Sequence, residues 1–172
     1  MGYIVTHPNK FLAITCVAPG AVAAVAAGYR AQHNPLQFLN AGDLEFQGGV
    51  WIPSQIHLSV GTAFTTNDGV HVELKRLRRA AADGAGTATS IMASVAKVGA
   101  GSFTNKEYDT AAANGIFDLS SKVTATERAV TFTRGDELIM ITSSLTGTSG
   151  GQIAATLILV PAVGRDLVGV AP

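Results

Sequence analysis

Residues 134–162 read RGDELIMITSSLTGTSGGQIAATLILVPA, and the alternation inside this stretch decides the fold. In ELIMITS, Leu138 and Met140 share one parity while Ile139 and Ile141 share the other. In IAATLILV, Ile153, Leu157 and Leu159 alternate with Ala154, Ile158 and Val160. Successive residues of a strand point to opposite faces of the sheet, so both segments are predicted as strands that are apolar, and therefore covered, on two sides. In a two-layer sandwich only one face of a strand meets the core. The other is expected to meet a second subunit, which makes Ile139, Ile141, Ile158 and Val160 candidate oligomer-interface residues.

The same stretch holds three motifs that compete with this structural reading. Gly147-Thr148-Ser149-Gly150-Gly151 fits G-x-S-x-G, but a nucleophile elbow needs a helix after the serine and a histidine later in the chain. Here a strand follows, and His7, His33, His57 and His71 all precede Ser149. A phosphate cradle would need a lysine after its glycines, and TGTSGGQ has none. Arg134-Gly135-Asp136 spells an adhesion tripeptide. It also has a structural reason to exist, because Gly135 can take positive φ and Asp136 is a favoured turn residue between two predicted strands, AVTFT and ELIMITS.

Working outward, Ile56, Leu58, Val60 and Phe64 share one parity, as do Val70, Val72 and Leu74. Asn67-Asp68-Gly69 between them predicts a hairpin with a three-residue loop, pairing Thr66 with Val70, Phe64 with Val72 and Thr62 with Leu74. That register sets His71 opposite Thr65 and His57 near Arg79, too dispersed for a metal site. Further strands are predicted in TSIMASVAKV, GIFDLS and AVTFT. Short strands, glycine-rich corners and scant helical periodicity point to an all-β antiparallel sandwich over residues 51–162. Residues 1–50 are expected to be an N-terminal arm with short strands, YIVT and FLAITCV among them, and residues 163–172 a C-terminal tail.

Composition limits function. Lys and Arg, 12 together, balance Asp and Glu, 12 together, so no net positive field exists to drive binding to nucleic acid. Charged residues make up 14% of the chain against 47% hydrophobic, which leaves little to solvate a free surface and implies that much of it is covered by protein. The single cysteine, Cys16, reads as a small buried hydrophobe. Lys10 with the following FLAITCVAPGAVAAVAAG imitates a secretory leader, and Met1-Gly2 with Thr6 a myristoylation start. Neither is expected to operate, and Pro19-Gly20 breaks a run too short to span a membrane. The two chain ends are expected to be held by neighbouring chains. No constellation of acid, base and nucleophile predicts an enzyme, and no cofactor or metal is expected. The one dense charge cluster, KRLRR at 75–79, reads as a solvated strand end or as a patch that docks on an acidic protein surface.

The stretches HLSVGTAFTTNDGVHVELKRL, GIFDLSSKV and AVTFTRGDELIMITSSLTGTSGGQIAATLILVPA resemble virion proteins of tailed bacteriophages, specifically jelly-roll head decoration, or capsid cement, proteins. The resemblance covers residues 56–162. It implies a jelly-roll sandwich that assembles as a homotrimer on the outer surface of the virion, having passed through the host cytoplasm, with the major capsid protein as partner and neither nucleic acid nor membrane as a ligand. It implies no catalytic residue. Candidate capsid-binding residues are Tyr3, Ile4, Phe11 and Leu12 of the arm, with Phe38 and Trp51, and the basic Lys75, Arg76, Arg78 and Arg79. The alternative is a tail-fibre or adhesin-like module that binds a receptor or glycan, against which the low aromatic content, 6%, counts.

Overall fold

The strand that ends the quoted stretch, Gln152–Pro161, buries Ile153, Ala155, Leu157 and Leu159 and leaves Ala154, Thr156, Ile158 and Val160 half-buried on the opposite face. In this computed structural model, which describes residues 11–32, 34, 36, 50–64, 69–79, 86–99, 107–109, 115–144 and 150–162, that alternation is repeated in the strands around it. In chain order the strands are β1 (Leu12–Ala18), β2 (Ala27–Arg30), β3 (Trp51–Thr62), β4 (Gly69–Arg79), β5 (Gly86–Ser90), β6 (Ala96–Gly99), β7 (Tyr108–Asp109), β8 (Gly115–Asp118), β9 (Glu137–Ser144) and β10 (Gln152–Pro161). A helical turn, α1 (Ala125–Arg128), separates β8 from β9.

The strands form two sheets. One has four strands in the order β1-β10-β3-β8. The other has six, with β2-β9-β4-β6-β7 in line and β5 beside β6 on the same edge of β4. Every pair is antiparallel except the short β6–β7 contact. The pairing is nested: β1 lies on β10, β2 on β9, β3 on β8, and β4 on β5 and β6. The inner faces meet in one core, with Ile14, Cys16, Ile56, Leu58 and Leu157 on one side and Val70, Val72, Leu74, Leu138 and Met140 on the other. Each large side chain withdrawn from water in this way contributes about 1.5–3 kcal/mol before conformational entropy is subtracted.

Three expectations are corrected. The β3–β4 hairpin does not exist: β3 belongs to the four-stranded sheet and β4 to the six-stranded one, so Ile56, Leu58 and Val60 face Val70, Val72 and Leu74 across the core and not along a ladder. Parity had placed both apolar faces correctly, but parity reports which face is buried and carries no information about which strand is the neighbour. His71 consequently pairs with Lys97 and Ser143, and His57 with Thr156 and Asp118. Second, TSIMASVAKV is broken: β5 ends at Ser90, and five residues, Ile91 to Val95, bulge before β6 resumes. The bulge drives Ile91 and Met92 into the core, with the Ile91 amide donating to the Leu74 carbonyl at 3.0 Å.

Third, AVTFT is not a strand. Thr124 caps α1, accepting from the Thr126 amide, while Glu127 accepts from the Thr124 amide at 3.1 Å and from its hydroxyl. That hydroxyl, above all, holds the Glu127 carboxyl below the usual carboxylate range. After the helix only Phe132 bridges, exchanging backbone hydrogen bonds of 2.7 and 2.8 Å with Trp51. The spacing Thr124-x-x-Glu127 is a capping box in the sequence itself, a signal that outweighs the β-propensity of the valine and threonines downstream.

The segment expected as an arm contributes one strand to each sheet. Ile14, Cys16 and Ala18 of β1 are fully buried, and β2 ends the six-stranded sheet. Residues 1–10 and 163–172, with the expectations placed on the chain ends, lie outside the described residues. Cys16 is among the best buried side chains, and burial pushes its thiol up to about 12. Because the thiolate is the reactive species, Cys16 is expected to resist a thiol reagent at pH 8 for as long as the protein is folded and to react fully in denaturant. Stoichiometric labelling under native conditions would contradict its burial.

Candidate functional site

The tripeptide end of the quoted stretch is a folded corner. Gly135 has φ of 85°, which only glycine adopts without strain, and the Asp136 amide donates to the Thr133 carbonyl at 3.1 Å. The Asp136 carboxylate turns inward. It accepts from Arg78 Nε at 2.8 Å and Nη2 at 2.6 Å, and from the Thr133 amide at 2.8 Å. Its side chain is 3% exposed, so it is not presented to a receptor, and the RGD match is a structural turn.

Strand alternation divides the basic cluster. Arg76 and Arg78 continue the inward parity of Val70, Val72 and Leu74, whereas Lys75 lies on the outer face. Arg76 donates to the Thr131 carbonyl at 2.7 Å and to Thr89 Oγ1 at 3.2 Å. Burial, with the neighbouring Arg78 charge, lowers its affinity for the proton, and the hydrogen bond to Asp136 raises that of Arg78. Lys75 pairs with Glu73 at 3.1 Å. The side chain of Arg79 lies outside the described residues, as do Tyr3, Ile4, Phe38 and Ser149. Arg76 and Arg78 therefore tie β4 to the corner before β9.

The proposed interface residues occupy opposite sides of the sandwich, because β9 and β10 belong to different sheets. On the six-stranded side, Ile139 lies between Arg30 and Lys75, and Ile141 between Gly28 and Glu73. Arg30 pairs with Glu137 at 3.2 Å, so aliphatic stems held by two ion pairs flank these isoleucines. Ile139 also reaches over Gly28: a Cβ there would meet Ile139 Cδ1 at 2.9 Å.

The four-stranded side differs. Its outer face is a grid of cross-strand rows. One row runs Ala13, Ile158, Gln55; the next Thr15, Thr156, His57, Asp118; the third Val17, Ala154, Ser59, Ile116. Thr15 and Thr156 join their hydroxyls at 2.8 Å. The only ionisable groups in these rows are His57 and Asp118, which are neighbours. Ser120 bonding, from hydroxyl and then amide, holds the Asp118 carboxyl below the usual range, with a smaller effect of His57. Phe11, one residue before β1 and of the same parity as Ala13, is 61% exposed, and Ile116 on β8 is 75% exposed. These are two of the three exposed large hydrophobic residues among those described; the third, Val25, lies in the β1–β2 connection.

Of the other candidates, Leu12 is half-buried and packs against the core, and Trp51 is 3% exposed within it, bridged to Phe132. Among the described residues no cluster of three or more histidine, cysteine, aspartate or glutamate side chains could hold a metal ion, and no helix is long and apolar enough to cross a membrane. Compared with protein-family profiles and with curated proteins, the chain matches no family and no curated relative.

Proposed function

We propose that the chain is a structural virion protein, a jelly roll that associates with its own copies as a trimer and binds the outside of a tailed-phage head at junctions between major capsid protein subunits. The nested pairing supports the jelly-roll reading: a strand ribbon folded once on itself and rolled gives this order in its two sheets. Jelly rolls also serve lectins and cupins, so the fold alone does not select a role. The observation that carries the reading is the outer face of the four-stranded sheet, which is nearly free of charge and flanked by the solvent-open Phe11 and Ile116. Such a face suits contact with protein better than recognition of a sugar, which needs exposed aromatics and converging polar groups.

The mechanism is mechanical. Apolar area buried at a capsid junction contributes about 25 cal/mol per Å², less the cost of association, and many copies multiply a modest gain. Mixed at micromolar concentration with undecorated phage heads, the protein is expected to sediment with them and to raise the temperature at which they rupture. Protein left wholly in the supernatant, or retained on a glycan array and not on heads, would replace this reading with the adhesin one.

A further inference from the structure

The connection between β1 and β2 is built unlike the others. From Val17 to Gly28 no side chain can form a hydrogen bond or carry a charge, whereas each other connection between these strands holds at least one serine, threonine, asparagine or aspartate. Connections at a surface ordinarily carry such residues, which satisfy the turning backbone. Of residues 19–26 only Val22 is buried; Val25, 80% exposed, is the most open large hydrophobic residue among those described. A Cβ on Gly20 would meet nothing within 4 Å, so the segment stands clear of the sandwich. It is nevertheless fixed in place, because Val22 sits in the core and the Ala23 carbonyl accepts from the Ser144 amide at 2.8 Å. We infer that this connection is a preformed knob that enters an apolar pocket of the major capsid protein, with Val25 as its anchor.

Chemistry and shape select a pocket of another protein as the receptor. A segment without donors, acceptors or charge offers nothing to a glycan, a nucleic acid or an acidic surface. It lacks the basic residues that hold lipid headgroups, and one valine among alanines falls short of the two signals that stable membrane anchoring takes. A projecting loop also packs poorly against its own copy, because two convex surfaces touch over little area. In a concave apolar pocket the same loop is well suited. Alanine, glycine and proline lose no rotamer freedom on burial, and the Val22 and Ala23 tethers have already ordered the backbone. A single buried side chain that fills such a pocket commonly dominates an interface, the contacts around it serving to exclude water. The knob leaves β1 beside the row of Val17, Ala154, Ser59 and Ile116, so it stands at the margin of the face to which the proposed function assigns the capsid contact.

The inference rests on the proposed function and names the part of the chain that carries it. Co-sedimentation with undecorated phage heads is titrated for wild type, Val25→Asp, Ala24→Asp and Ala125→Asp. All three positions are exposed, and Ala125 lies on α1, which packs on β3. Circular dichroism and the melting temperature establish that each variant is folded. Wild type and Ala125→Asp are expected to bind alike, and the two loop variants at least about tenfold more weakly, since the buried valine is lost and a carboxylate cannot enter an apolar pocket unpaired. Placement is read separately. Cys16 is buried, so the thiol of Val25→Cys is the one that a maleimide reaches in the folded protein. It is expected to label fully in solution and to be protected on heads; Ala24→Cys serves if Val25→Cys no longer binds. Loop variants that bind as wild type does, or a thiol labelled as fast on heads as in solution, would overturn the inference and leave the proposed function standing. A wild type that stays in the supernatant would remove both. Sedimentation with phosphatidylcholine–phosphatidylglycerol vesicles, lost in Val25→Asp, would assign the knob to a membrane and overturn the inference.

Discussion

Replacing Asp136 by alanine is expected to lower the free energy of unfolding by about 2–4 kcal/mol, a drop of roughly 5–15 °C in Tm for a domain of this size. The carboxylate takes both nitrogens of the Arg78 fork and the Thr133 amide, and its side chain is all but sealed from water. Alanine leaves the Thr133 amide without that acceptor and the Arg78 charge without its counterion. The Arg78 side chain is itself 42% exposed and can turn partly toward water, which keeps the loss below that of a wholly buried pair. An asparagine side chain in the same place would restore one acceptor and no charge, so Asp136→Asn should fall between wild type and Asp136→Ala. Urea unfolding of the three proteins checks the order, and an alanine variant within about 0.5 kcal/mol of wild type would show that the corner holds without its carboxylate.

A loss of comparable size, about 3–4 kcal/mol, is expected from Gly151→Ala. Gly151 opens the last strand with φ of 145°, a conformation that side chains resist, and a Cβ there would lie 2.6 and 2.9 Å from Cε1 and Cγ of the Phe64 ring. Phe64 is buried two residues beyond β3, so the ring has no open space to move into. Phe64→Leu should be costly alone, yet the double variant Gly151→Ala/Phe64→Leu should be destabilised by less than the sum of the two, because the steric part of the alanine penalty disappears with the ring. Strict additivity in denaturant titrations would mean that backbone strain alone accounts for the glycine.

These two sites mark where the sequence was readable and where it was not. The strands β9 and β10 were legible to within a residue or two, because period-2 burial is written directly into Leu138, Met140, Ile153, Leu157 and Leu159. Gly135 was legible as a turn for the same local reason. Gly151 stood out only as part of the rejected motifs in TGTSGGQ, since the ring it must avoid is 87 positions earlier in the chain. The inward course of Arg76 and Arg78 was in principle visible: they extend the parity of Val70, Val72 and Leu74, but a run of basic residues at a strand end suggests water more strongly than alternation suggests the interior. Double-sided apolarity in β9 and β10 pointed to an outside partner for both. The structure places Ile139 and Ile141 beside Arg30, Glu73 and Lys75, and leaves all four outward residues, Ile139, Ile141, Ile158 and Val160, half-buried.

The concentric order of the ladders also governs how the molecule comes into being. Thr15 and Thr156, which share a hydrogen bond in the outermost ladder, are separated by 141 positions. At a translation rate of about 5–20 residues per second, β1 emerges roughly 7–28 s before β10 exists to receive it. For that interval FLAITCVA, an uncharged segment with three branched aliphatics and a bare edge, is a template for wrong partners. The centre of the roll, β4 against β5, can close early, while the sheet that bears Ile158 is finished only by the final strand. That sheet therefore offers no complete outer face to any partner until its last strand has been made.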